Sequence, residues 1–310
     1  MSKTPTRAVV HQHVEIAKKL GYRRASGMVN AVLRKTAQGQ LSTKAEHQLP
    51  GWLFQRWKDY PEWLANIRQP ASLSVTGPAA SRLKLAPSTV GGKKVPELWT
   101  LPPGHGGVTT LEGFEAGGIW VMDPAAALVA DLVKGQVDPG QTVLDACAAP
   151  GGKTFRMLGA GIQVTAVDAS VKRMALMHEN CERLNLQVDS RIHDWLEGPM
   201  QNAEMFDAVL VDAPCTGLGT VRRHPEIIWR REAGDPAAMG VVQRQILQNA
   251  AQHVKRGGAL IYAVCSTEPE EGWNVASSLD DWEVVKEWRS VPPSGDEDGF
   301  QAFILRSNNP

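Results

Sequence analysis

Two cysteines lie in polar turns that directly follow apolar runs. Cys215 belongs to FDAVLVDAPCTGLG, three residues after Asp212, and Cys265 belongs to ALIYAVCSTEPEEG. A single cysteine after such a run is most often a buried core residue. Two of them, each in a turn after a predicted strand of the same sheet, instead favour a pair of thiols at one rim of that sheet.

Two thiols beside a carboxylate fit methyl transfer to C5 of a cytosine. C5 is a weak nucleophile, so an enzyme must first add a nucleophile at C6, and a thiolate suits that task. After methylation the C5 proton must leave and the thiol must be expelled, which requires a second acid or base. We expect Asp212 to bind the N3/N4 edge of the base, which must leave its stack to enter the pocket. Spacing alone does not say which cysteine attacks.

A loop of small residues precedes these turns in TVLDACAAPGGKT and predicts a ligand site. A ligand can lie on such a backbone beyond the carboxyl end of a strand, at the entrance of a helix. The loop contains Cys147, Ala148, Ala149, Pro150, Gly151, Gly152 and Lys153, and two of its glycines stand at the helix entrance. A tight strand-to-helix turn without a ligand is the alternative. The lysine either holds Asp212 or the base, or is a surface residue at a helix start.

Two aspartates at later strand ends extend the predicted cofactor site. Asp168 ends the strand in QVTAVDAS, at the spacing where an acid accepts hydrogen bonds from a ribose diol. The loop before it has neither the P-loop nor the dinucleotide spacing, so nicotinamide and nucleoside triphosphate chemistry become minor alternatives. Asp194, in RIHDW, either bonds an adenine amino group or caps a helix.

The elements that must position these residues follow a βαβ alternation. The predicted strands lie near 142–146, 163–168, 188–192, 206–211 and 259–264, with β-like stretches near 282–288 and 300–306. The predicted helices lie near 124–134, 153–160, 170–184 and 236–254. This alternation predicts an α/β fold with a doubly wound, mostly parallel sheet over residues 119–310. We expect two basic helices in residues 1–40 and a small α+β domain in residues 41–118.

Composition describes a globular chain with an uneven distribution of charge. The 310 residues are 43% hydrophobic and carry no net charge, yet residues 1–40 hold eight lysines and arginines against one acid. This basic arm could meet phosphates, although solvated helix faces explain it equally well. No secretory signal or membrane-length apolar run is found, and the four cysteines form no C-x-x-C pair. A cytoplasmic monomer without a metal is expected.

A second basic segment, TVRRHPEIIWRR, lies between the two cysteine turns. Arginine forks and an exposed indole could clamp an RNA backbone and stack a base. The predicted RNA contacts are Arg222, Arg223, His224 and Trp229. The alternative is a surface helix start whose arginines pair with nearby acids.

Taken together, DACAAPGGKT, VDAPCTGLGTVRRHPEIIWRR and YAVCSTEPEEG resemble the Sun/NOL1/NOP2 family of RNA cytosine-C5 methyltransferases, and most closely its bacterial RsmB branch. The resemblance implies a Rossmann-like class I fold that uses S-adenosyl-L-methionine (AdoMet). It places the family's nucleophile on Cys265 and its product-release cysteine on Cys215. It also places the family's cofactor contacts on Cys147 to Lys153, Asp168, Asp194 and Asp212. Residues 1–40 resemble the last helices of the NusB-like RNA-binding domain of that branch.

The resemblance also implies a substrate, a cytidine of 16S ribosomal RNA. The same chemistry on tRNA is an alternative, because the catalytic motifs do not distinguish the two RNAs. A non-catalytic RNA-binding assembly factor is a third hypothesis, and the intact Asp212, Cys215 and Cys265 argue against it.

Overall fold

The structure is a computed structural model that describes residues 5–39, 44, 47–102, 104–201, 204–290, 295 and 297–308. The predicted domain boundary between residues 40 and 41 lies outside the described residues. The chain divides into two compact units, Met1–Phe54 and Gln55–Pro310.

The first unit contains the two basic helices predicted from the sequence. They are α1 (Thr6–Lys19) and α2 (Ser26–Ala37). Gly21 follows α1 in the left-handed region, with φ 87°, which glycine adopts without steric cost. Both helices carry basic residues in their last turn, where the helix dipole favours positive charge.

Short helices and a small sheet precede the main sheet. The helices are α3 (Gly51–Trp57) and α4 (Pro61–Asn66), and the strands are β1 (Ser74–Thr76), β2 (Ala86–Val90), β3 (Lys93–Thr100) and β4 (Trp120–Val121). The strands form an antiparallel sheet in the order β2-β3-β1-β4. The last of them lies beyond the boundary predicted at residue 118, because Val121 pairs with Val75.

The remaining residues form a three-layer α/β fold. Its helices are α5 (Pro124–Lys134), α6 (Gly152–Leu158), α7 (Val171–Leu184), α8 (Ile227–Arg230), α9 (Asp235–Ala251) and α10 (Trp273–Ala276). Its strands are β5 (Thr142–Asp145), β6 (Gln163–Asp168), β7 (Asp189–Ile192), β8 (Phe206–Asp212), β9 (Val254–Val264), β10 (Trp282–Arg289) and β11 (Gln301–Ser307). They form one sheet in the order β10-β11-β9-β8-β5-β6-β7.

Five adjacent strands of this sheet are parallel, namely β9, β8, β5, β6 and β7. β11 pairs antiparallel with β9, and β10 pairs antiparallel with β11 at the edge of the sheet. The doubly wound, mostly parallel sheet predicted from the sequence is therefore confirmed. Parallel strands must be covered on both faces, and successive residues of a strand point to opposite faces. In β8, Val209 and Val211 pack in one cluster with Leu247 of α9, whereas Leu210 packs in another with Val129 of α5.

One strand is longer than predicted. β9 begins at Val254 rather than near residue 259, and α9 ends at Ala251 rather than near residue 254. Val254 already pairs with Phe206 of β8, and the register shifts before Ala259 pairs with Ala208. Gly257, with φ 75°, lies within this irregular stretch. Because glycines occupy this part of the strand, it has no apolar alternation from which a strand could be predicted.

Candidate active site

The carboxyl ends of β5, β6, β8 and β9 meet at one rim of the sheet, as expected for neighbouring parallel strands. A cleft of about 190 Å³ opens there. It is lined by the predicted loop residues Cys147, Ala148, Ala149, Pro150, Gly152 and Lys153, and by Asp212. Val121, Met122, Asp123, Ala126 and Asp145 complete the lining. The structure thus brings most of the predicted cofactor loop and the β8 aspartate to one cleft.

Gly151 shapes the loop at the entrance of α6. Its φ is 107°, in the left-handed region, and a Cβ atom placed on it would overlap the ring of Phe155. Only glycine meets both conditions without strain. The backbone can therefore turn tightly from the loop into α6 beneath the cleft.

Asp168 is buried at the end of β6 and is tied to the same loop. One carboxylate oxygen accepts a hydrogen bond from Ala149 N (3.2 Å), and the other accepts from Ser170 N (2.8 Å) and from the Arg173 guanidinium (2.9 Å). Half of the Arg173 side chain is exposed. Asp194 accepts from Leu196 N at 2.9 Å within a turn, so the structure does not show the helix cap left open above. Their predicted contacts with ribose and adenine stay predictions.

Asp145 is a cleft residue that sequence analysis did not single out. Its Oδ2 accepts a hydrogen bond from the Thr154 hydroxyl at 2.7 Å, whereas Oδ1 is buried and has no hydrogen-bond partner among the described residues. Burial raises the pKa of Asp145 to about 7. Its place in DACAAPGG, at the strand end, was the available signal. An unpartnered buried oxygen that lines a cleft is a ready acceptor for a ligand's donor.

We expect this buried carboxyl to make stability depend on pH. Its pKa is about 7 in the folded protein, above the ordinary value of 3.8, so the folded state holds the proton more tightly. The stabilisation is complete below the ordinary value and is lost as pH rises through 7. In ligand-free protein, Asp145→Asn should therefore flatten the fall in melting temperature between about pH 4 and pH 7. Thermal unfolding at several pH values measures this.

Asp138→Asn is the matched control, because Asp138 is exposed. It should leave the wild-type pH profile unchanged. A D145N protein whose melting temperature falls with pH as steeply as that of the wild type would contradict the assigned origin.

Lys153 and Asp212 form an ion pair within the cleft. Lys153 Nζ lies 2.5 Å from Asp212 Oδ2 and 5.3 Å from the centroid of the Phe300 ring. Burial alone would lower the pKa of Lys153, but the Asp212 carboxylate holds it above its ordinary value. The ammonium therefore stays charged and fixes the carboxylate. Of the two roles left open for Lys153, the structure supports the contact with Asp212 over that of a surface lysine.

The two predicted thiols lie side by side. Cys215 Sγ is 3.2 Å from Cys265 Sγ, and both cysteines are free and partly buried. The hydrogen bond with Cys265, and then burial, raise the pKa of Cys215 well above its ordinary value. Cys215 is thus held as a thiol beside the Cys265 sulfur.

Two glycines, Gly219 and Gly299, allow close backbone contacts beside the Cys265 turn. Gly219 N donates to Cys265 O at 3.0 Å, and Gly299 N donates to Gly219 O at 2.8 Å. A Cβ atom on Gly219 would overlap the carbonyl oxygen of Gly299 and lie 2.9 Å from Cys265 O. The backbones therefore approach more closely than any side chain allows.

The basic segment after β8 is divided between internal and exposed residues. Arg223 bonds Asp123 (2.6 Å), Asp298 (2.8 Å) and Ser72 O (2.7 Å). Arg222 donates to Gly295 O at 2.7 Å and to Asn66 Oδ1 at 3.3 Å. These contacts favour a scaffolding role over the RNA contact predicted for both arginines, which the geometry does not support.

His224 and Trp229 remain open to solvent in this segment. The His224 side chain is 59% exposed and lies 3.6 Å from Glu226, and Trp229 is 65% exposed. An exposed indole is suited to stacking on a base. The RNA contacts predicted for these two residues stay predictions.

Within the described part of the chain, no helix combines the length and apolarity that a membrane span requires. The same residues contain no group of three or more histidine, cysteine or acidic side chains arranged to hold a metal ion.

Comparison with known families gives two matches. The model described as 16S rRNA methyltransferase RsmB/F matches residues 135–299, and the model of the NusB family matches residues 1–38. The first covers the loop of small residues that lines the cleft and both cysteine turns, and the second covers α1 and α2.

Curated relatives carry a consistent name. Ribosomal RNA small subunit methyltransferase B of Thermus thermophilus is 35% identical over 278 residues, which are 89% of this chain and 65% of that protein. The protein of the same name from Vibrio cholerae is 35% identical over 300 residues, or 87% of this chain and 67% of that protein. The chain thus spans about two thirds of the length of these relatives.

Solved structures share the fold. PH0851 superposes with a TM-score of 0.80 at 22% identity, covering 99% of this chain and 78% of that one. A methyltransferase homolog protein from Pyrococcus horikoshii superposes with a TM-score of 0.66 at 22% identity, covering 95% of this chain and 98% of that one.

Proposed function

The chain belongs to the family of 16S rRNA methyltransferases RsmB/F, and from that membership we propose that it methylates C5 of a cytidine in 16S rRNA. The observation that carries the proposal is the pair of thiols 3.2 Å apart at the sheet rim that also holds the Lys153–Asp212 ion pair. Methylation of a sugar hydroxyl or of an exocyclic amine needs no such pair of thiols.

The residues of the cleft fit AdoMet. Its loop of small residues leaves the backbone accessible, and the buried Asp145 Oδ1 offers an acceptor to a bound ligand. Residues Cys147 to Lys153, Asp168, Asp194 and Asp212 would hold the cofactor, which supplies an electrophilic methyl group when bound. For Asp168 to accept hydrogen bonds from the ribose, the Arg173 guanidinium would have to move away from the Asp168 carboxylate. The Arg173 side chain is half exposed and has room to do so.

Cys265 acts as the nucleophile in this proposal. Its sulfur forms a bond to C6 of the cytosine as the C5–C6 double bond opens, so that electron density moves towards C5. C5 then takes up the methyl group, with S-adenosyl-L-homocysteine as the leaving group. A water molecule or a deprotonated side chain at the rim accepts the C5 proton, and the bond from sulfur to C6 breaks as the double bond returns. All bonds of the ring are restored, and Cys265 is regenerated.

Cys215 and Asp212 handle protons and charge in the same sequence of steps. Cys215 lies within reach of the Cys265 sulfur and is held as a thiol, so it serves the steps that release the product. Asp212 keeps one oxygen on Lys153, and a quarter of its side chain is exposed. That carboxylate can accept a hydrogen bond from the N4 amino group of the base, and in its protonated form it would donate to N3 and stabilise the negative charge that develops there.

RNA recognition is proposed for three regions: the basic segment 1–40, the small α+β domain 41–118, and the exposed His224 and Trp229. Residues 119–310 would carry catalysis. A cytoplasmic monomer belongs to the same proposal.

Methyl transfer from labelled AdoMet to unmodified 16S rRNA and to bulk tRNA tests the function. Nucleoside analysis should find labelled 5-methylcytidine in 16S rRNA and none in tRNA. Label in tRNA alone would retain the chemistry and overturn the substrate. No label in either RNA, or in small-subunit assembly particles, would favour the non-catalytic assembly factor.

A further inference from the structure

Glu271 is a buried acid that takes no part in the chemistry above. It is fully buried, and its carboxylate lies between the two cysteine turns. One oxygen accepts from Thr216 N (2.7 Å) and from Gln243 Nε2 (3.1 Å). The other accepts from the hydroxyl of Ser266 (2.5 Å) and from that of Thr216.

The partners of this carboxylate directly follow the two thiols. Thr216 comes immediately after Cys215, and Ser266 comes immediately after Cys265. One side chain therefore ties the turn after β8 to the turn after β9, next to the point where the two sulfur atoms lie 3.2 Å apart. Buried carboxylates require several donors to remain in place, and these donors come from both turns.

Two further hydrogen bonds fix the backbone of Glu271 and of its partner Ser266. The Tyr262 hydroxyl donates to Glu271 O at 2.5 Å, and Gln301 Nε2 donates to Ser266 O at 2.9 Å. The two acids that precede it in the sequence differ, because Glu268 and Glu270 both bind Arg56. Glu271 is thus distinguished from them by its ties to both cysteine turns.

We propose that Glu271 is a positioning residue that fixes the separation of the two thiols, so that Cys215 reaches the sulfur–C6 adduct formed by Cys265. The inference rests on the proposed function for its catalytic meaning, but the separation of the thiols can be measured without RNA. Misplacement of a catalytic group by about 1 Å can lower a rate about 100-fold. Loss of the hydrogen bonds between Glu271 and the two cysteine turns should therefore slow product release.

Oxidation by diamide reports the separation directly. The two thiols lose two hydrogens to form a disulfide, and diamide gains them. Mass spectrometry of the joined peptides gives the rate. Glu271→Ala and Glu271→Gln both remove the charge near Cys215, but only the glutamine keeps an acceptor for the two turns. We expect the alanine variant to oxidise about tenfold more slowly than the glutamine variant.

Glu270→Gln is the matched control, since Glu270 binds Arg56 and neither cysteine turn. It should oxidise at the wild-type rate. Equal rates for folded E271A and E271Q would overturn the proposal. If E271A does not fold, Ser266→Ala removes one tie and keeps the carboxylate, and a wild-type oxidation rate in that variant would overturn the proposal equally.

The catalytic readout is the covalent protein–RNA adduct. E271A should accumulate it although Cys215 is present, and E271Q should restore release. Absence of methylation in the wild type would count against the proposed function, whereas the oxidation rates would still decide the role of Glu271.

Discussion

Replacement of Cys265 by alanine is expected to abolish methyl transfer, with a rate at least about 10⁴-fold lower than that of the wild type. Without the sulfur no bond forms at C6, and C5 stays too weak a nucleophile to take up a methyl group. Cys215 is not expected to substitute for it, because burial still raises the pKa of that thiol when Cys265 is absent. Labelled methyl transfer under single-turnover conditions measures the loss.

Cys181→Ala provides the control for this substitution. Cys181 is also a buried thiol, but it lies on α7 in one cluster with Met177 and Leu184 and does not line the cleft. Its removal should leave the rate within a few-fold of the wild type. Full activity in C265A would refute the role assigned to Cys265.

Replacement of Cys215 by alanine should have a different effect, the accumulation of a covalent protein–RNA adduct. The C6 bond still forms through Cys265, but the thiol 3.2 Å away is no longer present to assist release. We expect multiple-turnover methylation to fall by about 10²- to 10⁴-fold, the range of general acid and base contributions. The first turnover should fall much less.

Denaturing gels with labelled RNA detect the adduct. It should appear in C215A, be weak in the wild type, and be missing in C265A and in the C215A/C265A double variant. An adduct in C265A but not in C215A would exchange the two roles and make Cys215 the nucleophile.

Much of the fold could be predicted because strong periodic patterns coincide with punctuating residues. The predicted helix at 170–184 is observed as Val171–Leu184, and the predicted strand at 163–168 as Gln163–Asp168. Both have alternating or helical apolar periods and clear ends. The rim residues could be placed together because parallel strands bring their carboxyl ends to one edge.

The contacts within the site could not be predicted in the same way. Glu271 stands in a run of acids, EPEEG, that reads as a solvated surface turn, yet its carboxylate is buried among donors from both cysteine turns. Arg223 is a second residue whose contacts could not be predicted. Its neighbours suggested an exposed basic cluster, but long-range partners at positions 123 and 298 enclose it. Sequence spacing holds no information on such distant pairs.

The close approach of Gly219 to Gly299 affects how intolerance to mutation should be interpreted. Neither glycine has a side chain that could contact RNA or cofactor, yet any larger residue at 219 would push the backbone that carries Cys265 O. An activity-based screen of all substitutions would therefore mark position 219 as strictly as it marks the nucleophile. A variant that is inactive because a side chain does not fit and one that is inactive because a catalytic group is missing would score the same. A separate measurement of protein abundance distinguishes the two causes.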